Sequence, residues 1–257
     1  MVLKKHLPNL LTLLNLFCGC VALIFISSTV LPDDFMGDSN QLELIYKYNY
    51  ELAFWFVALG IFFDFFDGFF ARLLNVQSPL GVQLDSLADM VTSGVVPGYA
   101  MFSMLEKAEG AESLPSFFPY FGFLITLGAC LRLARFNIDT RQTTSFIGLP
   151  TPGNALAILS LPLIALHSDS LLVFEAIINP FVLLFISIIS FLVMNAELPL
   201  FSLKLSGFSL KKHWPQATLL ALSLLMLFFW QYSAVPLIIL LYLLLSLINN
   251  RVSKNVG

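Results

Sequence analysis

The sequence predicts an all-α polytopic membrane protein. It reads as one domain, a bundle of eight transmembrane helices with both termini on the cytoplasmic side. Three observations predict this. Of 257 residues, 58% are hydrophobic and 11% charged, and mean hydropathy is +0.87. A water-soluble domain has no use for that much apolar surface. Eight apolar runs, most of about 20 residues, suit a hydrocarbon core about 30 Å thick. With the N-terminus in the cytoplasm, eleven Lys and Arg residues fall on the cytoplasmic side, and only Lys47 and Lys107 on the other. That is a positive-inside topology with an even number of spans.

Taken in order, residues 1–9 form a short basic lead with Lys4 and Lys5. The first span, 10–31, opens after Leu7-Pro8-Asn9, with Asn9 placed as a helix N-cap. It is long enough to cross and no small-residue cleavage site follows, so it reads as a retained helix rather than a signal peptide. A polar loop at 32–49 precedes the second span, 50–72. Ser78-Pro79 ends a linker at 73–79 and restarts the chain as the third span, 80–104. An acidic loop with Glu106, Glu109 and Glu112 leads to span four, 116–135, which ends on Arg132 and Arg135. A polar loop at 136–148 follows, then spans five, 149–167, and six, 171–194. A basic loop at 195–215 follows. Spans seven and eight, 216–231 and 235–250, form a hairpin turning near Gln231 to Pro236. Cys18, Cys20 and Cys130 have no metal-ligand spacing and read as inert buried thiols. No basic arm for nucleic acid is present.

Chemistry concentrates in residues 64–89, DFFDGFFARLLNVQSPLGVQLDSLAD. Asp64 and Asp67 are three apart and Asp85 and Asp89 four apart, so each pair shares a helix face. In the eight-span topology the two pairs meet at the cytoplasmic interface. An aspartate in a membrane costs about 2.5–3.5 kcal/mol at the helix centre, less near the interface. Arg72 alone cannot neutralise four of them. Divalent metal can, and an all-oxygen ligand set suits Mg²⁺ or Mn²⁺. Four carboxylates are enough for two ions, the usual arrangement for displacement at phosphorus. Gly68, Ala71 and Gly81 remove bulk beside the carboxylates, Arg72 supplies phosphate charge, and Ser78 is placed to donate to a phosphate or headgroup.

The pattern D-x2-D-G-x2-A-R-x8-G-x3-D-x3-D matches the signature of the CDP-alcohol phosphotransferase family at all eight fixed positions over 26 residues. Two flanking segments resemble that family's phosphatidylserine synthase branch. One is residues 7–19, LPNLLTLLNLFCG. The other is Arg132-Leu133-Ala134-Arg135-Phe136-Asn137 with the later Phe146-Ile147-Gly148-Leu149-Pro150-Thr151-Pro152. A weaker echo lies at residues 200–204. Together the resemblance covers most of residues 7–155. It implies a six-helix catalytic core at residues 1–195, with 216–250 as an added C-terminal hairpin. It implies two divalent ions on Asp64, Asp67, Asp85 and Asp89, with Asp89 doubling as catalytic base, and CDP-lipid contacts from Gly68, Ala71, Arg72, Ser78 and Gly81. Asn9 and Thr12 are placed to reach the cytidine or the metal shell. Arg132 and Arg135, i and i+3 at the same membrane face, suit the carboxylate of an acceptor. The implied reaction is CDP-diacylglycerol plus L-serine giving phosphatidylserine and CMP, by a homodimer in the cell membrane with its active site facing the cytoplasm. Glycerol 3-phosphate or inositol phosphate as acceptor, or an archaeal-type CDP-lipid donor, stay open. So does a different class, an ion-coupled transporter, although its acids belong near the midplane in both halves. His167 lies away from the array and reads as structural.

Overall fold

A computed structural model describes residues 2–28, 39–139, 145–201 and 214–256. Residues 32–38, Arg141 and the loop bearing Lys204, Lys211, Lys212 and His213 lie outside them. The chain is helical nearly throughout. Helices α1 (Val2–Ser27), α2 (Ser39–Leu73) and α3 (Pro79–Asp89) come first. A π-helical turn, Met90–Val95, leads into α4 (Val96–Glu106). After two 3₁₀ turns come α5 (Leu124–Ile138), α6 (Thr151–His167), α7 (Leu171–Ile178), α8 (Pro180–Asn195), α9 (Trp214–Trp230) and α10 (Ala234–Val256).

Among the described residues, four helical stretches are long and apolar enough to cross a membrane: His6–Ser27, Leu44–Leu73, Phe118–Ile138 and Trp214–Asn250. The pair α7 and α8 makes a fifth when counted as one. The stretch Trp214–Asn250 is divided by a 3₁₀ turn at Gln231–Ser233, where Gln231 has φ of 45°. Helices α9 and α10 pack on each other, and Leu219 of α9 shares a cluster with Tyr242 and Leu245 of α10.

Several boundaries differ from the sequence reading. Helix α1 is already formed six residues before Pro8, so Asn9 is not an N-cap. Residues 39–49, expected as loop, are the first three turns of α2. The third span is interrupted by the π turn, and Pro97 just after it has no N–H to give the preceding turn. Span six is broken between α7 and α8 by a bend of 67°. Asn179 caps α8 there, accepting from the Phe181 and Val182 amides at 2.9 and 3.3 Å, with Pro180 in the first turn. The loops at 136–148 and 195–215 contribute a short antiparallel ribbon, β1 (Ser145–Ile147) on β2 (Pro199–Phe201), with Phe146 opposite Leu200. Gly148 follows β1 with φ of 75°, and a Cβ there would sit 2.3 Å from the Met194 carbonyl oxygen. Only glycine fits such a position.

Small residues hold the N-terminal helices together, as they do where helices approach closely in membranes. A Cβ on Gly19 of α1 would lie 2.6 Å from Thr92 Oγ1, and one on Gly60 of α2 would lie 2.8 Å from Asn15 Oδ1. So α1, α2 and the π turn meet almost backbone to backbone. Behind them Ala22, Ile26, Val57, Val96, Leu159 and Leu163 form a fully buried cluster. At the far end, His167 of α6 is fastened to α2. Its Nε2 lies 3.0 Å from Glu51 Oε1 and its Nδ1 lies 2.8 Å from the Leu163 carbonyl oxygen. That accords with a structural histidine.

Candidate active site

The last turns of α2 and the whole of α3 carry the four aspartates. The turn between them is tight. Val76 N–H donates to the Ala71 carbonyl at 3.0 Å, and Asn75 takes the left-handed conformation with φ of 53°, which asparagine tolerates at a helix C-terminus. Helix α3 then starts on an extended residue, Ser78. Its Oγ accepts from Gly81 N–H at 3.0 Å, with Pro79 next in line. As an N-cap the Ser78 hydroxyl keeps its own proton to donate. Replacing Ser78 by Ala should cost about 1 kcal/mol of stability, and Thr should restore most of it. Thermal melts of the three proteins in one detergent check this.

This hairpin brings Asp64, Asp67 and Asp85 together, with one carboxylate oxygen of each within 4.8 Å of the others. Asp67 is buried and the other two half-buried. Thr12 of α1 donates its hydroxyl to Asp67 Oδ2. Asp89, expected in the same group and one turn further along α3, supplies none of these three oxygens, yet its charge interacts with those of Asp64 and Asp85. There it accepts from Asn15 Nδ2 at 3.2 Å. Among the described residues none of the four carboxylates pairs with a lysine or arginine. Like charges below 5 Å repel by about 3–4 kcal/mol per pair at an effective dielectric near 20. The donor set is all oxygen, clustered and short of positive charge, and it fits a hard divalent cation.

The seven residues expected to meet the CDP-lipid, Asn9, Thr12, Gly68, Ala71, Arg72, Ser78 and Gly81, line one cavity of about 610 Å³ together with Asp67 and Asp85. The N-terminus of α3 borders it. Pro79 has no N–H, and the Gly81 and Val82 amides are taken by Ser78, so it is the positive end of the helix dipole that adds to the charge of Arg72. Arg132 and Arg135 line a separate pocket of about 50 Å³ between α5, β1 and the end of α8. The two arginines differ. Arg135 is exposed and donates through Nη1 to the Asn195 carbonyl at 3.4 Å. Arg132 is 8% exposed, its Nε has no partner, and its charge acts on Asp89.

A match to the CDP-alcohol phosphatidyltransferase family model runs over residues 5–192. The chain belongs to this family. Helices α9 and α10 lie beyond the matched region. Among curated relatives it is 37% identical to the CDP-diacylglycerol–serine O-phosphatidyltransferase of Bacillus subtilis (strain 168), over 61% of this chain and 76% of the relative. It is 32% identical to the protein of that name in Helicobacter pylori (strain J99), over 59% of this chain and 54% of the relative. It is 31% identical to the Saccharomyces cerevisiae protein of that name, over 63% and 55%. The alignment thus spans about half the length of the last two. Membership of the phosphatidyltransferase family sets aside the transporter reading.

The sequence reading passed over Asn15, which touches Asp89, and Asn137 of α5. Asn137 Nδ2 donates to Ser86 Oγ at 2.8 Å and ties α5 to α3 beside Asp85. Asn15 did carry a signal. Asn9, Thr12 and Asn15 are three apart, a polar stripe down one face of an otherwise apolar helix.

Proposed function

We propose that this protein transfers the phosphatidyl group of CDP-diacylglycerol to the hydroxyl of L-serine, forming phosphatidylserine and CMP. The observation that carries the reading is the Asp64, Asp67 and Asp85 cluster on a cavity that also holds the α3 N-terminus and Arg72. The names of the relatives support serine as acceptor. The charge asymmetry supports a cytoplasm-facing site in the cell membrane.

In this reading two divalent cations, Mg²⁺ or Mn²⁺, are held by Asp64, Asp67 and Asp85, with Asp89 contributing. Bound there, they neutralise the pyrophosphate and stabilise the departing CMP. The protein's own groups do the rest. Arg72 and Ser78 bind the phosphates, with the positive end of the α3 dipole beside them. Asn9, Gly68, Ala71 and Gly81 give the nucleotide room against the helix backbones. Thr12 fixes Asp67 through its hydrogen bond. Arg132, buried and near Asp89, binds the serine carboxylate, with Arg135 at the pocket rim. Asp89 takes the serine hydroxyl proton. The serine oxygen bonds to the lipid-linked phosphorus as the bond from that phosphorus to the CMP oxygen breaks. Residues 1–195 serve as the catalytic core, and 216–250 as an appended hairpin in an eight-span topology.

The test is CMP release by detergent-solubilised protein given CDP-diacylglycerol and Mg²⁺ or Mn²⁺, with L-serine, glycerol 3-phosphate or inositol phosphate in parallel. Release with serine alone is expected. Release with another acceptor overturns serine and keeps the metal chemistry. No release from folded protein overturns the reaction.

A further inference from the structure

Asn15 lies midway along α1 with no exposure at all. Its Nδ2 donates to Asp89 Oδ1 at 3.2 Å. Its main-chain carbonyl accepts from Thr92 Oγ1 at 3.1 Å. Thr92 belongs to the π-helical turn that begins directly after Asp89. Helix α1 therefore grips the run containing Asp89 at two points three residues apart.

The third contact comes from α2. A Cβ on Gly60 would come within 2.8 Å of Asn15 Oδ1, so only a bare backbone lets the amide sit as it does. Oδ1 itself is buried and makes no hydrogen bond. An orphaned buried acceptor is a net cost to the fold. An aliphatic side chain of similar size would fill the space without that cost. What asparagine adds is one N–H, and Asp89 receives it. One carboxylate oxygen is thereby engaged, leaving Oδ2 for the acceptor hydroxyl's proton.

From this we propose that Asn15, seated on Gly60 and tied to Thr92, is the positioning residue of Asp89. It fixes the orientation of the carboxylate and takes no part in substrate binding. The inference rests on the reading of Asp89 as base.

The test uses full-length protein in lipid nanodiscs, with steady-state kinetics for CDP-diacylglycerol and serine. Hydrogen bonds to charged groups contribute enough for Asn15→Ala to lower kcat about 10- to 100-fold. Both KM values should stay within about threefold and the melting temperature within a few degrees. Gly60→Ala touches no substrate and adds only a methyl, yet it should lower kcat about tenfold by displacing the amide. In the double variant the closest clash, with Asn15 Oδ1, is gone, and only Thr92 Cγ2 at 3.1 Å and Cys18 Cβ at 3.3 Å have to give way to the methyl, so Gly60→Ala should cost at most about twofold further. Three results overturn the proposal: kcat within twofold of wild type in Asn15→Ala, a loss that appears in KM alone, or effects of the two substitutions that multiply. If Asn15→Ala fails to fold, Gly60→Ala decides alone, and unchanged kcat there overturns it. Asp89→Asn runs alongside. Full turnover in that variant removes the base itself. An inactive Asp89→Asn with an active Asn15→Ala removes only the positioning role.

Discussion

Asp89→Asn should lower turnover by a factor of about 10²–10⁴, the range expected when a general base is removed, without unfolding the protein. The substitution is isosteric. It keeps an oxygen to accept from Asn15 Nδ2, so the link from α1 to α3 survives. It also removes a negative charge next to Asp64 and Asp85, which relieves repulsion and offsets the lost attraction to buried Arg132. The structure sharpens the experiment. The three-oxygen cluster is Asp64, Asp67 and Asp85, while Asp89 lies one turn on, where the Asp85 carboxylate acts on it more strongly than buried Arg132 does. If Asp89 acts as base rather than ligand, its role is separable from the cation sites. Mn²⁺ affinity of Asp89→Asn, measured by electron paramagnetic resonance, should stay within about tenfold of wild type while kcat collapses. Turnover above a tenth of wild type would remove Asp89 as base. Loss of Mn²⁺ binding together with turnover would make Asp89 chiefly a ligand.

The aspartates were legible because helical spacing is a local property. Residues three or four apart share a face whatever the rest of the chain does. The Ser78-Pro79 restart was legible for the same reason, since an N-cap and a proline act within one turn. What escaped was set by contacts across the fold. Asn9 was misplaced as a cap because the helix extends upstream of Pro8, and nothing in its immediate neighbours decides that. The π turn adds one residue to a helical period, which a hydropathy window cannot resolve, although Pro97 marks where the hydrogen-bond ladder is short of a donor. The bend at Asn179-Pro180 was readable from that dipeptide and was hidden by the continuous apolarity on both sides. Asn15 was hidden likewise, a single polar residue averaged away in an apolar helix. Its role appears only when α1 is laid against Gly60 and Thr92.

Metal-free wild-type protein should be less stable than metal-free Asp85→Asn, and the order should reverse once Mn²⁺ is added. With all three ionised, carboxylate oxygens within 4.8 Å of one another repel by about 3–4 kcal/mol per pair at an effective dielectric near 20, and a shared proton relieves only part of this. The Thr12 hydroxyl and the Gly68 backbone N–H donate to Asp67, and neither carries the positive charge needed to offset three carboxylates. Neutralising Asp85 removes two of the three repulsive pairs. With cation present the same carboxylate becomes a ligand, and binding stabilises the folded state in proportion to RT ln(1 + [L]/Kd), about 2.7 kcal/mol at a hundredfold excess over Kd. Wild type should gain several degrees on adding Mn²⁺, and Asp85→Asn should gain little. Activity should follow: none in excess chelator, full recovery on adding Mg²⁺ or Mn²⁺ to wild type, no recovery in the variant. A purely structural polar cluster predicts the opposite pattern, with Asp85→Asn destabilising in both conditions and Mn²⁺ without effect on either protein. The melting curves thus decide for or against a cation site before any substrate is added.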